Sequence, residues 1–271
     1  MKFWPLLCLF SITVLQLSAQ SVDGFVKDTK TKEALSFVNV GIIGKSIGTV
    51  TDDHGHFSLN IGTVTTDTLK ISMVGYEPIK IAVNDFIKKQ PTDKIYFLNP
   101  STKQLSEVKI KGNKLKEAVL GNTTQSKSTD AGFSSNKLGN EIGEIIKIKK
   151  SPTWLKRFNA SLVVGPTDSV KLRLNFYTVK DGLPDQLIQT QNIFVTVKKG
   201  DEQIEVDLKP YNIYVDDKFI VSLEWIKDTG GHGIMFSASL FGSAIISRET
   251  SQANWEKIGI AGVGFNVLAA Y

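Results

Sequence analysis

Short apolar runs, separated by turn chemistry about every eight to twelve residues, constrain this chain more than any other feature. Inside the runs apolar and polar side chains alternate strictly: Leu69, Ile71 and Met73 against Lys70 and Ser72, then Ile79, Ile81 and Val83 against Lys80 and Ala82. Successive side chains of a strand point to opposite faces, so such a pattern buries one face and wets the other. Between Val22 and Leu98 it predicts strands at Val22 to Val26, Phe37 to Ile42, Gly48 to Thr51, His56 to Asn60, Thr68 to Met73, Pro78 to Val83 and Lys94 to Leu98. The one helical segment expected there, Asn84 to Lys89, is a single turn with Asn84 as its cap.

The pattern stops at residues 111–137, KGNKLKEAVLGNTTQSKSTDAGFSSNK, where Gly, Asn, Ser, Thr and Lys replace large apolar side chains. That composition reads as a flexible linker. Alternation returns at Leu138, with strands expected at Glu141 to Lys149, Phe158 to Val164, Ser169 to Thr178, Gln191 to Val197, Gln203 to Leu208, Phe219 to Ile226, Gly233 to Leu240 and Val263 to Ala269. The clearest puts Val170, Leu172, Leu174 and Phe176 on a buried face and Lys171, Arg173, Asn175 and Tyr177 on a solvated one. The expectation for residues 138–271 is an eight-stranded, jelly-roll-like sandwich.

The N-terminus reads as an export signal over residues 1–19: a basic Lys2, an apolar stretch from Phe3 to Leu17, and small Ser18 and Ala19 before Gln20. The only cysteine, Cys8, lies inside it behind Leu7, where a lipoprotein signal wants a small residue. A chain cleaved after residue 19 has no thiol, which excludes disulfides, thiolate-bound zinc and cysteine nucleophiles. The formal charge of +5 is uneven: +3 falls on residues 111–137 and zero on residues 138–271. A basic connector gives no nucleic-acid surface, which would interleave Lys and Arg with aromatics on a folded face. No later segment is long and apolar enough for a transmembrane helix, so any membrane association would have to use other means.

Two stretches, VDGFVKDTKTKEALSFVNVGIIGKSIGTVTDDHGHFSLNI and LKISMVGYEP, carry a resemblance to the carboxypeptidase regulatory-like domain of Bacteroidetes envelope proteins, including the N-terminal extensions of TonB-dependent receptors. The resemblance spans residues 21–98 and implies a folding and interaction module with no catalytic residues, since the zinc ligands of metallocarboxypeptidases belong to a separate domain. Within it, Asp52 and Gly55 bracket a tight turn, and Tyr76 is expected to cover a sandwich edge with its hydroxyl in water. The later stretches GNEIGEIIKIKK, SVKLRLNFY and FIVSLEWI are similar to the C-terminal region of uncharacterised Bacteroidetes envelope proteins, which supplies no activity. The fold expected is all-β: a seven-stranded Greek-key, prealbumin-like sandwich over residues 21–110, then the linker, then the second sandwich.

Several groups invite a chemical role. His54 and His56 could share a metal, and Asp52 with Asp53, or Asp216 with Asp217, could bind calcium, but neither ligand set is complete. His232 has no GxSxG serine to serve, and Glu205 and Asp207 are carboxylates without a place. Tyr177, Tyr211, Tyr214, Trp225 and Trp255 could stack on sugar rings. We therefore expect no catalytic, metal or cofactor site, and leave the ligand-binding residues unknown. Three readings follow: an exported protein- or glycan-interaction module, a carbohydrate-binding protein, or a small outer-membrane barrel with a periplasmic first domain. The barrel reading rests on Val263, Phe265, Val267 and Ala269 alternating up to the terminal aromatic Tyr271.

Overall fold

The first alternating region forms seven strands and one helix: β1 (Gln20–Asp28), β2 (Asn39–Ile42), β3 (Gly48–Val50), β4 (His56–Gly62), β5 (Thr68–Ser72), β6 (Ile79–Ala82), α1 (Val83–Lys88) and β7 (Ile95–Leu98). The structure is a computed structural model that describes residues 20–271 except 65, 90, 103–114, 134, 228–232 and 241. The export signal, Cys8 and His232 lie outside the described residues. One sheet has the order β4-β1-β7 and the other β3-β2-β5-β6. Their facing side chains, among them Val22, Val26, Val40, Phe57, Leu59, Leu69 and Ile71, form one apolar core.

Turn chemistry places the connections. Asp52 Oδ1 accepts the backbone N–H groups of His54 at 2.8 Å and His56 at 2.9 Å, and Gly55 takes φ +75° to close the hairpin. Two local expectations are corrected. Asn84 lies inside α1, which starts after Ala82 with no side-chain cap. The Tyr76 hydroxyl donates to Asp28 Oδ2 at 2.9 Å, and burial together with that bond pushes it up to about 12.

The second unit begins earlier than the composition suggests. Its strands are β8 (Glu117–Gly121), β9 (Asp130–Gly132), β10 (Glu141–Ile146), β11 (Thr153–Val164), β12 (Val170–Lys180), β13 (Leu183–Leu187), β14 (Ile193–Val197), β15 (Gln203–Asp207), β16 (Tyr214–Val215), β17 (Phe219–Lys227), β18 (Met235–Leu240), β19 (Ile245–Arg248), β20 (Glu256–Ile258), β21 (Ala261–Val263) and β22 (Phe265–Ala270). One sheet runs β13-β12-β17-β10-β19-β20 with β14 on β12; the other runs β21-β18-β11-β22-β8 with β15 and β16 on β11 and β9 on β18. The strands are thus more numerous than the eight expected.

Residues 111–114 and 134 are not described, but two stretches of the segment assigned to a linker are strands. β8 pairs with β22, and Phe133 packs edge-on against Trp225 and Phe236 in the core. Short strands with one or two inward apolar side chains carry too little periodicity to stand out in a polar stretch. The alternation before Tyr271 belongs to a sandwich: Phe265, Val267 and Ala269 of β22 are buried in a core shared with Leu172, Leu174 and Phe176 of β12. The described strands form two facing sheets with an apolar interior, not the single closed sheet of the barrel reading.

The two sandwiches dock on each other. Phe37 and Val50 of the first pack with Ile226 and Leu138 of the second, and Phe37 meets Phe194 edge to face at 5.4 Å. Gly44 N–H donates to the Gln252 carbonyl at 2.9 Å, and Gln252 Nε2 donates to Ser72 Oγ at 3.0 Å. The approach is close enough that a Cβ on Gly48 would overlap the Ser251 carbonyl oxygen. Gly48→Ala should therefore lower stability by about 1–3 kcal/mol, as overpacking does elsewhere. A melting curve unchanged from the native chain would refute this docking.

Candidate functional site

The outer face of β12, β17, β10 and β19 carries charge where a free sheet would meet water. Cross-strand register aligns Arg173 with Glu224, Glu224 with Glu141, and Glu141 with Arg248. Alternation forces this face outward, because Leu172, Leu174, Leu223 and Trp225 of the same strands fill the core. All four charged residues are nonetheless at most 8% exposed.

The row is joined by ion pairs and hydrogen bonds, with the buried Arg248 Nε left without a hydrogen-bond partner among the described residues. Arg173 reaches Glu224 Oε2 with Nε at 2.9 Å and Nη2 at 2.8 Å, and Arg248 Nη2 lies 2.6 Å from Glu141 and 3.4 Å from Glu224. Asn175 Nδ2 donates to both carboxylates at 2.9 Å. The hydroxyls of Ser222 and Tyr177 donate to Glu141 Oε1 at 2.5 Å and 3.0 Å. Gln189 fixes Asn175 from the side, donating to its Oδ1 at 3.2 Å. Burial pushes the Glu141 carboxyl up and Arg248 offsets only part of that. For Glu224 burial acts in the same direction, but Arg173 and Arg248 outweigh it and hold the carboxyl below its usual range.

The first sandwich supplies the cover. Arg173 donates through Nη1 to the Phe37 carbonyl and through Nη2 to Asn39 Oδ1, each at 2.8 Å. Where the cover stops, a cleft of about 180 Å³ opens between the units, with Arg173, Asn175, Tyr177 and Glu224 on one side and Asn39, Lys70, Ser72, Met73, Tyr76 and Pro78 on the other. The Lys70 side chain is half-buried and makes no ion pair or hydrogen bond among the described residues. Burial, with Arg248 and Lys80 nearby, lowers its ammonium below the usual lysine range.

A second buried carboxyl, Glu144, shares the face of β10 with Ile142 and Ile146. It accepts the Asn122 N–H at 3.1 Å and has the Ser243 hydroxyl at 3.4 Å, with no cation paired to it among the described residues. Burial pushes it up to about 8.

The groups singled out from the sequence fall elsewhere. His54 and His56 are part of the Asp52 turn, with the His56 ring 5.0 Å from Phe25, and Asp53 pairs with Lys227 at 2.5 Å. Among the described residues no three His, Cys, Asp or Glu side chains cluster as metal ligands. Asp216 and Asp217 line a separate cleft with Tyr214, whose ring stacks on Trp154 at 6.2 Å. Glu205 and Asp207 are exposed and lie beside Arg157 and Lys209. Trp225 is fully buried, Tyr211 packs against the core, and Trp255 meets the Tyr177 ring edge-on while the Arg248 guanidinium lies 4.7 Å from its centre.

Of these candidates only Tyr177 lines the cleft; Arg173, Glu224, Glu141, Arg248 and Lys70 were not anticipated. A signal existed: in FIVSLEWI, Ser222 and Glu224 alternate with Ile220 and Ile226 on one face, and a face mixing Glu with Ile is not a water face.

Residues 22–110 match the family model of the CarboxypepD_reg-like domain. The first sandwich is therefore a CarboxypepD_reg-like domain, and the charged row lies on the unit that docks against it. No curated protein matches the chain. Among solved structures, the cysteine protease and lectin-like domains of Cwp84, a surface layer associated protein of Clostridium difficile, align over 93% of this chain at 8% identity with a TM-score of 0.41. A second structure of that clostridial protease, after propeptide cleavage, covers 86% at 9% identity with a TM-score of 0.39. The chain spans 58% and 64% of those two structures.

Proposed function

We propose that this chain is an exported, non-catalytic protein of the bacterial cell envelope that binds a protein or glycan in the cleft between its two sandwiches. The observation that carries the reading is the docking itself: a buried Arg–Glu row locks a CarboxypepD_reg-like domain onto a second sandwich, and the cleft beside that row is walled by both units. A preorganised junction of two units is a common place for a ligand, because its walls are rigid before binding. Export is supported by the Lys2, Phe3 to Leu17, Ser18-Ala19 pattern, and the envelope assignment by the resemblance of the first unit. The carbohydrate reading is weaker, because Trp225 is fully buried, Tyr177 is only 8% exposed, and Tyr211, Tyr214 and Trp255 do not line the cleft.

The purified chain should retain a component of solubilised envelope from its native host while leaving panels of peptide, ester and glycosidic substrates intact. Retention of nothing would refute the binding reading. Turnover that disappears on substitution within this chain would refute the non-catalytic one. Recovery of the full-length tagged chain in the cytoplasmic fraction would overturn export.

A further inference from the structure

The cleft is rich in unused donors. The Lys70 ammonium has no ionic or hydrogen-bond partner among the described residues, and its electrostatic neighbours Arg248 and Lys80 are cations. Asn39 accepts at Oδ1 from Arg173 and, at 3.2 Å, from Ser251, so its amide N–H groups remain to be used. Ser72 Oγ accepts from Gln252, leaving its hydroxyl proton. The carboxylate at the cleft floor offers nothing to these donors, since Glu224 is already matched by Arg173 and Arg248. Register pairs Asn39 with Ser72 across β2 and β5, and Lys70 lines the same cleft two residues along β5; an ammonium and two neutral donors on one wall without an acceptor call for one from outside.

The rest of the wall decides what carries that acceptor. Met73 and Pro78 on the wall of the donors, and Leu187 from the second sandwich, line the same cleft and add apolar surface beside them. Its volume of about 180 Å³ equals roughly six water molecules, enough for one modest group. A bare inorganic anion would leave the apolar surface uncovered, and a sugar acid would press hydroxyls against it.

We propose that the cleft binds a carboxylate borne on a short apolar stem, as at the C-terminus of a peptide ending in an aliphatic residue. The carboxylate takes Lys70, Asn39 and Ser72, and the aliphatic side chain lies against Met73, Pro78 and Leu187. This inference rests on the binding reading and adds the chemical class of its ligand.

The test is a titration of the ¹⁵N-labelled chain with N-acetyl-leucine and, separately, with N-acetyl-leucinamide, following the backbone amides of Asn39, Lys70 and Ser72. The acid should shift those amides with a Kd on the order of 1 mM, the range open to a ligand of that size, and the amide should bind at least about tenfold more weakly. Lys70→Met should weaken the acid by a similar factor and leave the amide unchanged. Equal binding of acid and amide at these positions would overturn the carboxylate assignment while leaving a binding cleft in place. Glucuronate or inorganic phosphate binding as tightly as N-acetyl-leucine would overturn the apolar stem. No shift with any of the four would overturn the inference, whereas the binding reading is judged separately by retention from the envelope. The acid and amide comparison on the unaltered chain stands whether or not Lys70→Met folds.

Discussion

Arg173→Met costs about 3–5 kcal/mol of stability, the range for removing one partner of a buried ion pair. Methionine keeps the unbranched stem and packs in the same space, so the loss comes from charge and hydrogen bonding rather than volume. Glu224 keeps Arg248 at 3.4 Å but loses the two contacts at 2.8 Å and 2.9 Å that balanced its burial. The Phe37 carbonyl and Asn39 Oδ1 lose a donor at the same time, so the seam between the sandwiches weakens along with the sheet. The measurement is a urea transition, read as a lower midpoint. Arg173→Met combined with Glu224→Gln should cost less than Arg173→Met alone, because no unpaired carboxylate remains; the single change costing under about 1 kcal/mol would refute the row as a stabilising unit.

Glu144→Gln should stabilise the chain at alkaline pH and change little at acid pH. The native carboxyl titrates near 8 when folded and near 4.5 when unfolded, so the folded state holds a proton that the unfolded state releases between those values. Stability therefore falls as pH rises through that window. At 1.36 kcal/mol for each pH unit of separation, the deficit is about 3 kcal/mol at pH 7 and about 5 kcal/mol above pH 8. Glutamine has the same shape, keeps an acceptor for the Asn122 N–H and does not ionise. Subtracting the two stabilities at each pH isolates Glu144 from Glu141 and Glu224, which titrate in both chains. A difference that stays flat from pH 4.5 to pH 8.5 would show that Glu144 is not desolvated.

Most of the first sandwich was legible because β1, β4, β5 and β7 each keep one wetter face and one dry face. The predicted Thr68 to Met73 and the observed β5 differ by one residue, and the Asp52 turn closes through the bonds its residue types suggest. The second sandwich was harder to read. β8 and β9 carry few inward apolar side chains, and the strand β19 that brings Arg248 to the charged row contributes only Ile245 to the main core. Such segments become strands by pairing with neighbours far along the chain, and pairing leaves no mark on local composition.

The same strand shows where the division falls. The spacing of Val170, Leu172, Leu174 and Phe176 determined that β12 is a strand and which of its faces is dry, since a period of two permits no other assignment. It also placed Arg173, Asn175 and Tyr177 together on the opposite face, but assigned that face to water. The docking of a second unit overrode that assignment: β2 of the first sandwich covers the face, and Arg173 is 1% exposed. Burial of one face by another unit depends on contacts between residues more than a hundred positions apart, such as Arg173 with Phe37. The alternation along a strand records which side chains share a face. The tertiary structure alone decided whether that face meets solvent or a second unit, and so turned an ordinary polar stripe into the wall of a cleft between the two sandwiches.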